Sequence, residues 1–171
     1  MLNKLDRIGK SHWYWLALLV LGLSLEAVAL IYQYVWGYPP CILCIHVRIW
    51  VMALVLVAIL GLLLRRNRAL RVVAHVLLLT VAIGLLERSW MLLGIERGFI
   101  ESDCAFDSSL PSWLPLDVWI PQLFQVTGSC GYTPELLFGI TMAEGLIVMS
   151  AMLILATIAF LIATLFGRSF G

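Results

Sequence analysis

Four long apolar stretches restrict the fold of this chain more than any other feature. They lie at about residues 13–33, 44–64, 71–93 and 144–166, and each is close to the roughly 20 residues that cross the hydrocarbon core of a bilayer. Hydrophobic residues make up 63% of the sequence and charged residues 12%, which leaves too little polar chain for a separate soluble domain. The sequence therefore predicts an all-α membrane protein, a single domain built as a four-transmembrane-helix bundle.

Lysine and arginine cluster on one side of this predicted bundle. Connections rich in these cations stay in the cytoplasm, so both termini and the short 65–71 link are predicted to be cytoplasmic. The loops at about 34–43 and 94–143 then face the outside, and together they contain one cation, Arg97. Because topology explains the cations, the sequence gives no reason to expect nucleic-acid binding. The cytoplasmic set is Lys4, Arg7, Lys10, Arg65, Arg66, Arg68, Arg71 and Arg168.

The second outer loop is long enough to demand a functional explanation. Its segment 110–124 mixes Trp113, Trp119 and Phe124 with aliphatic residues, and prolines break it too often for it to span a membrane. We expect this segment to lie in the membrane interface, partly as a short helix, with its aromatic rings at the level of the headgroups. Packing as a loop on top of the bundle is the alternative.

All four cysteines, Cys41, Cys44, Cys104 and Cys130, fall on the outward side, where disulfides form and persist. Three pairings are available, and the sequence does not select one. Cys41 with Cys44 and Cys104 with Cys130 is the simplest resting state. Zinc is disfavoured, because the second half of a Cys-x2-Cys zinc motif is missing. A Cys41–Cys44 disulfide encloses two residues and adds little stability, which favours a redox role over a structural one.

The Cys-Ile-Leu-Cys motif is predicted to begin the second helix, because Pro39 and Pro40 prevent the preceding loop from continuing as a helix. Both thiols would then lie in the first turn, where the helix dipole stabilises a thiolate and lowers the thiol pKa. Arg48 follows Cys44 by four residues and therefore reaches the same helix face. An arginine in the apolar zone is costly and is usually functional. Snorkelling of Arg48 to the outer surface is the alternative.

Other ionisable residues lie within the predicted spans. Glu26 on the first helix and the pair Glu87 and Arg88 on the third are deep enough to approach Arg48, as ion-pair partners or in carrier or proton handling. Adjacent helical residues diverge, so Glu87 and Arg88 are not expected to share one face, and at least one should find a partner elsewhere or reach the interface. His46 is a weaker candidate for proton transfer, and His75 is expected to be structural or exposed.

Taken together, these motifs resemble the disulfide bond formation protein B (DsbB) family of bacterial inner-membrane thiol oxidases. The resemblance covers most of the chain and rests on a combined pattern rather than on any single residue. The matching pieces are Glu26, Gln33, Cys41-Ile-Leu-Cys44, Arg48, Cys104, Trp113-Leu-Pro-Leu-Asp117, Pro121-Gln122 and Cys130.

The resemblance implies a two-stage relay. A soluble periplasmic dithiol protein of the DsbA type would attack Cys104 and form a mixed disulfide, and the released Cys130 would attack Cys41. Cys44 would then pass the electrons to a bound quinone, ubiquinone or menaquinone, assisted by Arg48. The family's quinone contact on the third helix maps poorly here, and Arg88 is the candidate for it.

Two alternatives remain open at the level of the sequence. A quinone-linked disulfide reductase would run the chemistry in the opposite direction, as in vitamin K epoxide reductase-like proteins. In those proteins the redox pair lies late in the chain, whereas here it follows the first helix. A non-enzymatic membrane scaffold with two structural disulfides would instead have unreactive cysteines.

Overall fold

A computed structural model describes residues 2–100, 116–128, 135–137 and 139–167. Within these residues the chain is almost entirely helical, and four helices are long and apolar enough to cross a membrane: α2 (His12–Tyr34), α3 (Ile42–Leu64), α4 (Arg68–Glu96) and α7 (Met142–Phe166). Their ends lie within three residues of the predicted ends. The prediction of an all-α membrane protein with four spanning helices is confirmed.

The remaining elements are short. A surface helix, α1 (Leu2–Lys10), precedes α2 and was not predicted. Two helical turns, α5 (Leu116–Trp119) and α6 (Pro121–Phe124), lie within the segment for which the sequence predicted a short interfacial helix. Their position in the membrane interface stays a prediction. Two short antiparallel strands, β1 (Glu135–Leu137) and β2 (Ile140–Thr141), lead into α7.

The four spanning helices pack in the order α2, α3, α4, α7, and α1 lies across α7 and the start of α2. One end of the bundle, which we call the Asp6 end, holds α1 and the turn between α3 and α4. The opposite end, the Cys41 end, holds the α2–α3 connection together with α5 and α6.

The core fills the middle of the bundle. Trp15 of α2 is fully buried among aliphatic residues of the other three spanning helices, including Leu54, Leu78 and Leu153. A Cβ at Gly61 would overlap the Trp15 indole, so glycine is required there for α3 to approach α2. Because lipid supplies no hydrophobic driving force, this close packing stabilises the bundle.

The arginines of the 65–71 link have structural partners at the Asp6 end. Arg71 is 1% exposed; its Nη2 lies 2.9 Å from Asp6 Oδ1, and its Nη1 donates to the Arg65 carbonyl. Arg68 donates to the Thr164 and Leu165 carbonyls at the end of α7, and Arg65 donates to the Lys10 carbonyl at the end of α1. These side chains thus satisfy carbonyls that helix ends leave without partners.

Candidate redox site

The Cys-Ile-Leu-Cys motif forms the start of α3, as the sequence predicted. Cys41 is the N-cap of the helix, and its sulfur accepts a hydrogen bond from the Cys44 backbone N–H at 3.2 Å. Cys41 is 2% exposed, whereas Cys44 is half-buried. The two cysteines are free thiols in this structure, and the pairing expected at rest stays a prediction.

The cap position makes Cys41 unusually acidic. A hydrogen bond from the Cys44 thiol, the largest influence, and backbone N–H groups of the first turn lower the pKa of Cys41 to about 7, although burial acts in the opposite direction. Thiolate is the reactive form of cysteine in disulfide exchange. The sequence predicted a low pKa in this turn without choosing between the two thiols, and the structure assigns it to Cys41.

This low pKa predicts the pH at which Cys41 becomes reactive. Alkylation by a small uncharged reagent should increase with pH to a midpoint near 7, because the thiolate fraction rises through the pKa. Fragmentation mass spectrometry of protein quenched at each pH would assign the label to Cys41. In the control variant Cys44→Ala the thiol hydrogen bond is lost, and the midpoint should move up toward the ordinary value of about 8.5. An unchanged midpoint in that variant would contradict the prediction.

An apolar cavity of about 250 Å³ lies beside the pair, at the Cys41 end of the bundle. All four spanning helices contribute to its wall, mostly with aliphatic and methionine side chains such as Val47, Leu92 and Met149. Cys44, Arg48 and Glu26 also line it. A more open groove along α2 and α7 shares Gly145 and Met149 with the cavity. A molecule dissolved in the lipid therefore has an apolar path toward Cys44.

Arg48 is buried at the edge of this cavity, 5% exposed, so it does not snorkel to the outer surface. Its Nη1 donates to Gln33 Oε1 at 2.9 Å and to the Leu123 carbonyl at 2.6 Å. Its Nε lies 3.7 Å from Glu26 Oε2. The guanidinium thus joins α3 to α2 and to the end of α6, and its positive charge lies within the wall of the cavity.

Two polar atoms at this wall have no hydrogen-bond partner in the described part of the chain. They are Arg48 Nε and Glu26 Oε1, a donor and a carboxyl oxygen, and both are buried. Leaving a buried polar group unsatisfied costs about 1–3 kcal/mol, more for a charged one. An apolar cavity with a few convergent polar groups is the usual form of a small-molecule site. The residues therefore fit a largely apolar ligand that has polar oxygens.

Segment 120–128 packs against the first outer connection. The Gln122 carbonyl accepts hydrogen bonds from Gln33 Nε2 and from the Tyr34 hydroxyl. The N–H groups of Thr127 and Gly128 both donate to the Pro40 carbonyl at 3.1 Å. A Cβ at Gly128 would lie 2.5 Å from the Pro39 oxygen, too close for any side chain without a shift. Segment 120–128 is thus fixed directly beside Cys41.

Glu87 and Arg88 both extend to the surface of the described bundle. These neighbours do pair with each other, with Arg88 Nε 3.8 Å from Glu87 Oε2, and both are at least partly exposed. Their Cβ atoms diverge, but both side chains are long and flexible enough to turn toward each other. Arg88 does not line the described cavity, so the geometry gives it no contact with a ligand there.

The other candidate residues divide between described and undescribed parts of the chain. Cys104 and Cys130 lie outside the described residues. His46 does not line the cavity. His75 is fully buried at the Asp6 end, where its Nδ1 lies 2.8 Å from the Arg71 carbonyl, so it is structural. Sequence reasoning missed the Leu123 carbonyl as a partner of Arg48, because a backbone acceptor has no residue signature.

The fold and this site define a class of protein: a four-helix membrane protein with a dithiol at the head of one span and an apolar cavity beside it. The family model for the disulfide bond formation protein DsbB matches residues 11–160. The chain belongs to the DsbB family. It is therefore a disulfide-forming oxidoreductase of the membrane.

Curated relatives agree with this assignment. Disulfide bond formation protein B 2 of Pseudomonas aeruginosa is 36% identical over 135 residues, covering 78% of this chain and 80% of the relative. Disulfide bond formation protein B of Shewanella loihica is 30% identical over 96% of both chains. The protein of that name from Haemophilus influenzae is 32% identical over 95% of this chain and 93% of its own length.

Proposed function

We propose that the protein is a dithiol:quinone oxidoreductase that reoxidises a soluble DsbA-type protein and passes the electrons to a membrane quinone. The observation that carries the proposal is the apolar cavity, which places Cys44, Arg48 and Glu26 in one wall beside a groove along the spanning helices. A lipid-soluble acceptor requires such an embedded site, whereas a water-soluble donor requires cysteines in a loop.

The donor's electrons would enter through the second outer loop. In this proposal a donor thiolate attacks Cys104 of a Cys104–Cys130 disulfide, and Cys130 leaves as a thiolate. Cys130 then attacks Cys41 of a Cys41–Cys44 disulfide, and Cys44 leaves as a thiolate. The second donor thiol displaces Cys104 and closes the donor disulfide; Cys104 then displaces Cys41, which restores Cys104–Cys130 and leaves Cys41 and Cys44 reduced. Thr127 and Gly128 are fixed on the Pro40 carbonyl, and Cys130 follows Gly128 by two residues in the sequence. The anchored segment therefore ends beside Pro40 only two residues in sequence before the cysteine that must reach Cys41. This connection supports exchange between the two pairs.

The inner pair would then be reoxidised at the cavity. A quinone accepts two electrons and two protons and leaves as the quinol. Cys41 and Cys44 lose the same two electrons and two protons as their sulfurs join. Arg48 holds positive charge at the wall, where it can donate from Nε to an acceptor oxygen. The apolar lining excludes water, which strengthens that interaction.

Orientation in the membrane follows from the same proposal. We place the Cys41 end in the periplasm and the Asp6 end in the cytoplasm of a bacterium, with the helices in the inner membrane. Lys4 and Arg7 of α1 and Arg66 of the α3–α4 turn are exposed at the Asp6 end, which supports this placement.

The proposal predicts a fixed stoichiometry for the purified protein. In lipid nanodiscs, with a reduced DsbA-type donor and a short-chain ubiquinone, one quinol should form for each donor disulfide formed. Quinone absorbance and thiol titration measure the two quantities. Cys104→Ser is the control, and it should remove donor oxidation because the entry cysteine is lost. Donor oxidation without quinol formation, or net reduction of donor disulfides when quinol and oxidised donor are supplied, would overturn the proposed direction.

A further inference from the structure

Glu26 is a carboxyl group within a membrane span, at the wall of the apolar cavity. Its side chain is 17% exposed, and Oε2 lies 3.7 Å from Arg48 Nε. Its other oxygen, Oε1, is buried and has no hydrogen-bond partner in the described chain. Ionisable groups at such depth are expensive and usually functional. A group present only to neutralise Arg48 would be expected to form closer bonds than this one does.

We propose that Glu26 is the proton-transfer residue of the carrier site; this inference rests on the quinone function proposed above. Reduction of a quinone requires protons as well as electrons at the acceptor oxygen. Among the residues that line the cavity, Glu26, Cys44 and Arg48 have ionisable side chains. A guanidinium stays protonated in proteins, so Arg48 cannot supply a proton. Glu26 is then the lining group, other than the reacting thiol, that can both release and accept one.

The proton movement balances at Glu26. The carboxylic acid form releases its proton to the acceptor oxygen, and the resulting carboxylate accepts the proton that the Cys44 thiol loses as its sulfur joins Cys41. The second proton taken up by the acceptor replaces, through solvent, the one that Cys41 releases. Two thiols become one disulfide, two electrons and two protons leave the protein, and Glu26 returns to its acid form.

The other ionisable groups on the helices near Glu26 have different partners or positions. From α3, Arg48 and Cys44 face it within the same cavity wall. From α1, which also packs on α2, Asp6 lies at the opposite end of the bundle, where it pairs with Arg71 and Lys10. From α7, Glu144 lines the adjoining groove, where its carboxylate is bound by Arg97 and by the Thr141 N–H. The Glu144 carboxylate is thus already bound at the N-terminal cap of α7.

Glu26→Gln tests the proposal, because glutamine keeps the shape and hydrogen-bonding capacity but cannot transfer the proton. We expect kcat for quinone reduction to fall about 100-fold or more, as for loss of a general acid, while the Kd for the short-chain ubiquinone changes little. The infrared spectrum of the reduced protein should lose the carbonyl band of one protonated carboxyl group. Glu87→Gln is the matched control: it changes an exposed carboxylate outside the cavity and should leave all three quantities unchanged.

Each other outcome is decisive. Full kcat with an unchanged infrared spectrum in Glu26→Gln would reduce Glu26 to a structural partner of Arg48. A loss of quinone affinity in proportion to the loss of rate would make Glu26 a binding group instead. If Glu26→Gln does not fold, Glu26→Asp replaces it, and the carboxyl band should then remain at a shifted frequency. Absence of quinone reduction in the unaltered protein would instead overturn the proposed function, and the infrared band would still report whether Glu26 is protonated.

Discussion

Replacing Cys44 with serine should lower quinone-linked turnover by more than about 1,000-fold, as expected when a reacting group that no neighbour can replace is removed. Cys44 is the thiol of the motif that lines the cavity, whereas Cys41 is buried at the helix cap. The variant should still accept electrons once from a reduced donor through the outer cysteines. Quinol formation and donor thiols, followed over a single turnover in nanodiscs, measure the two effects separately.

The control for Cys44→Ser is Ser24→Ala on α2. Ser24 is exposed and bonds only its own helix, to the Val20 carbonyl, in the described structure. This change should leave both the donor reaction and quinol formation intact. If Cys44→Ser kept a tenth or more of the normal turnover, Cys44 would not be the exit of the relay, and the cavity would need another electron donor.

The largest stability effect is expected at the Asp6 end, from Arg71→Met. Removing one partner of a buried ion pair costs about 3–5 kcal/mol, because the remaining charge is left without its counterion. Asp6 would keep only its contact with the partly exposed Lys10, whose Nζ lies 3.5 Å from Asp6 Oδ2. The free energy of unfolding, measured by denaturant titration in micelles, should fall toward the lower end of that range.

Two further variants test this explanation. Arg66→Met removes the same charge from an exposed position in the same turn and should change the free energy of unfolding by less than about 0.5 kcal/mol. The double variant Asp6→Asn/Arg71→Met removes both charges and should recover part of the loss, because no uncompensated ion remains. Equal losses in Arg66→Met and Arg71→Met would mean that net charge matters there, rather than the buried pair.

The sequence predicted the bundle well, because the requirement for apolar spans is a strong and local constraint. Four runs of hydrophobic residues are sufficient to place α2, α3, α4 and α7. The surface helix α1 was missed because it is short, and because Lys4, Arg7 and Lys10 were interpreted as topology signals alone. The contacts of Arg65, Arg68 and Arg71 with helix-end carbonyls were also missed, because a backbone carbonyl is not visible in the residue pattern.

The sequence also predicted the main residues of the candidate site. The helix start expected after Pro39-Pro40 indicated Cys41 and Cys44, and the four-residue spacing from Cys44 indicated Arg48. The low pKa of Cys41 depends on its sulfur capping the helix, which requires coordinates. The contact between Glu87 and Arg88 was not predicted, because Cβ directions on a helix do not show how far two long side chains can turn toward each other.

The arginine contacts at the Asp6 end also limit how the insertion of this protein could be redesigned. Redesign of membrane topology by counting cations treats every lysine and arginine that flanks a span as equivalent. Arg65, Arg68 and Arg71, however, each donate a hydrogen bond to a carbonyl in another part of the bundle. Lysine at these positions would keep the number of positive charges, but at Arg68 and Arg71 it would lose the planar guanidinium that reaches two acceptors. Edits aimed at topology can therefore use the exposed Lys4, Arg7 and Arg66, whereas the same edits at Arg65, Arg68 or Arg71 would also remove tertiary contacts.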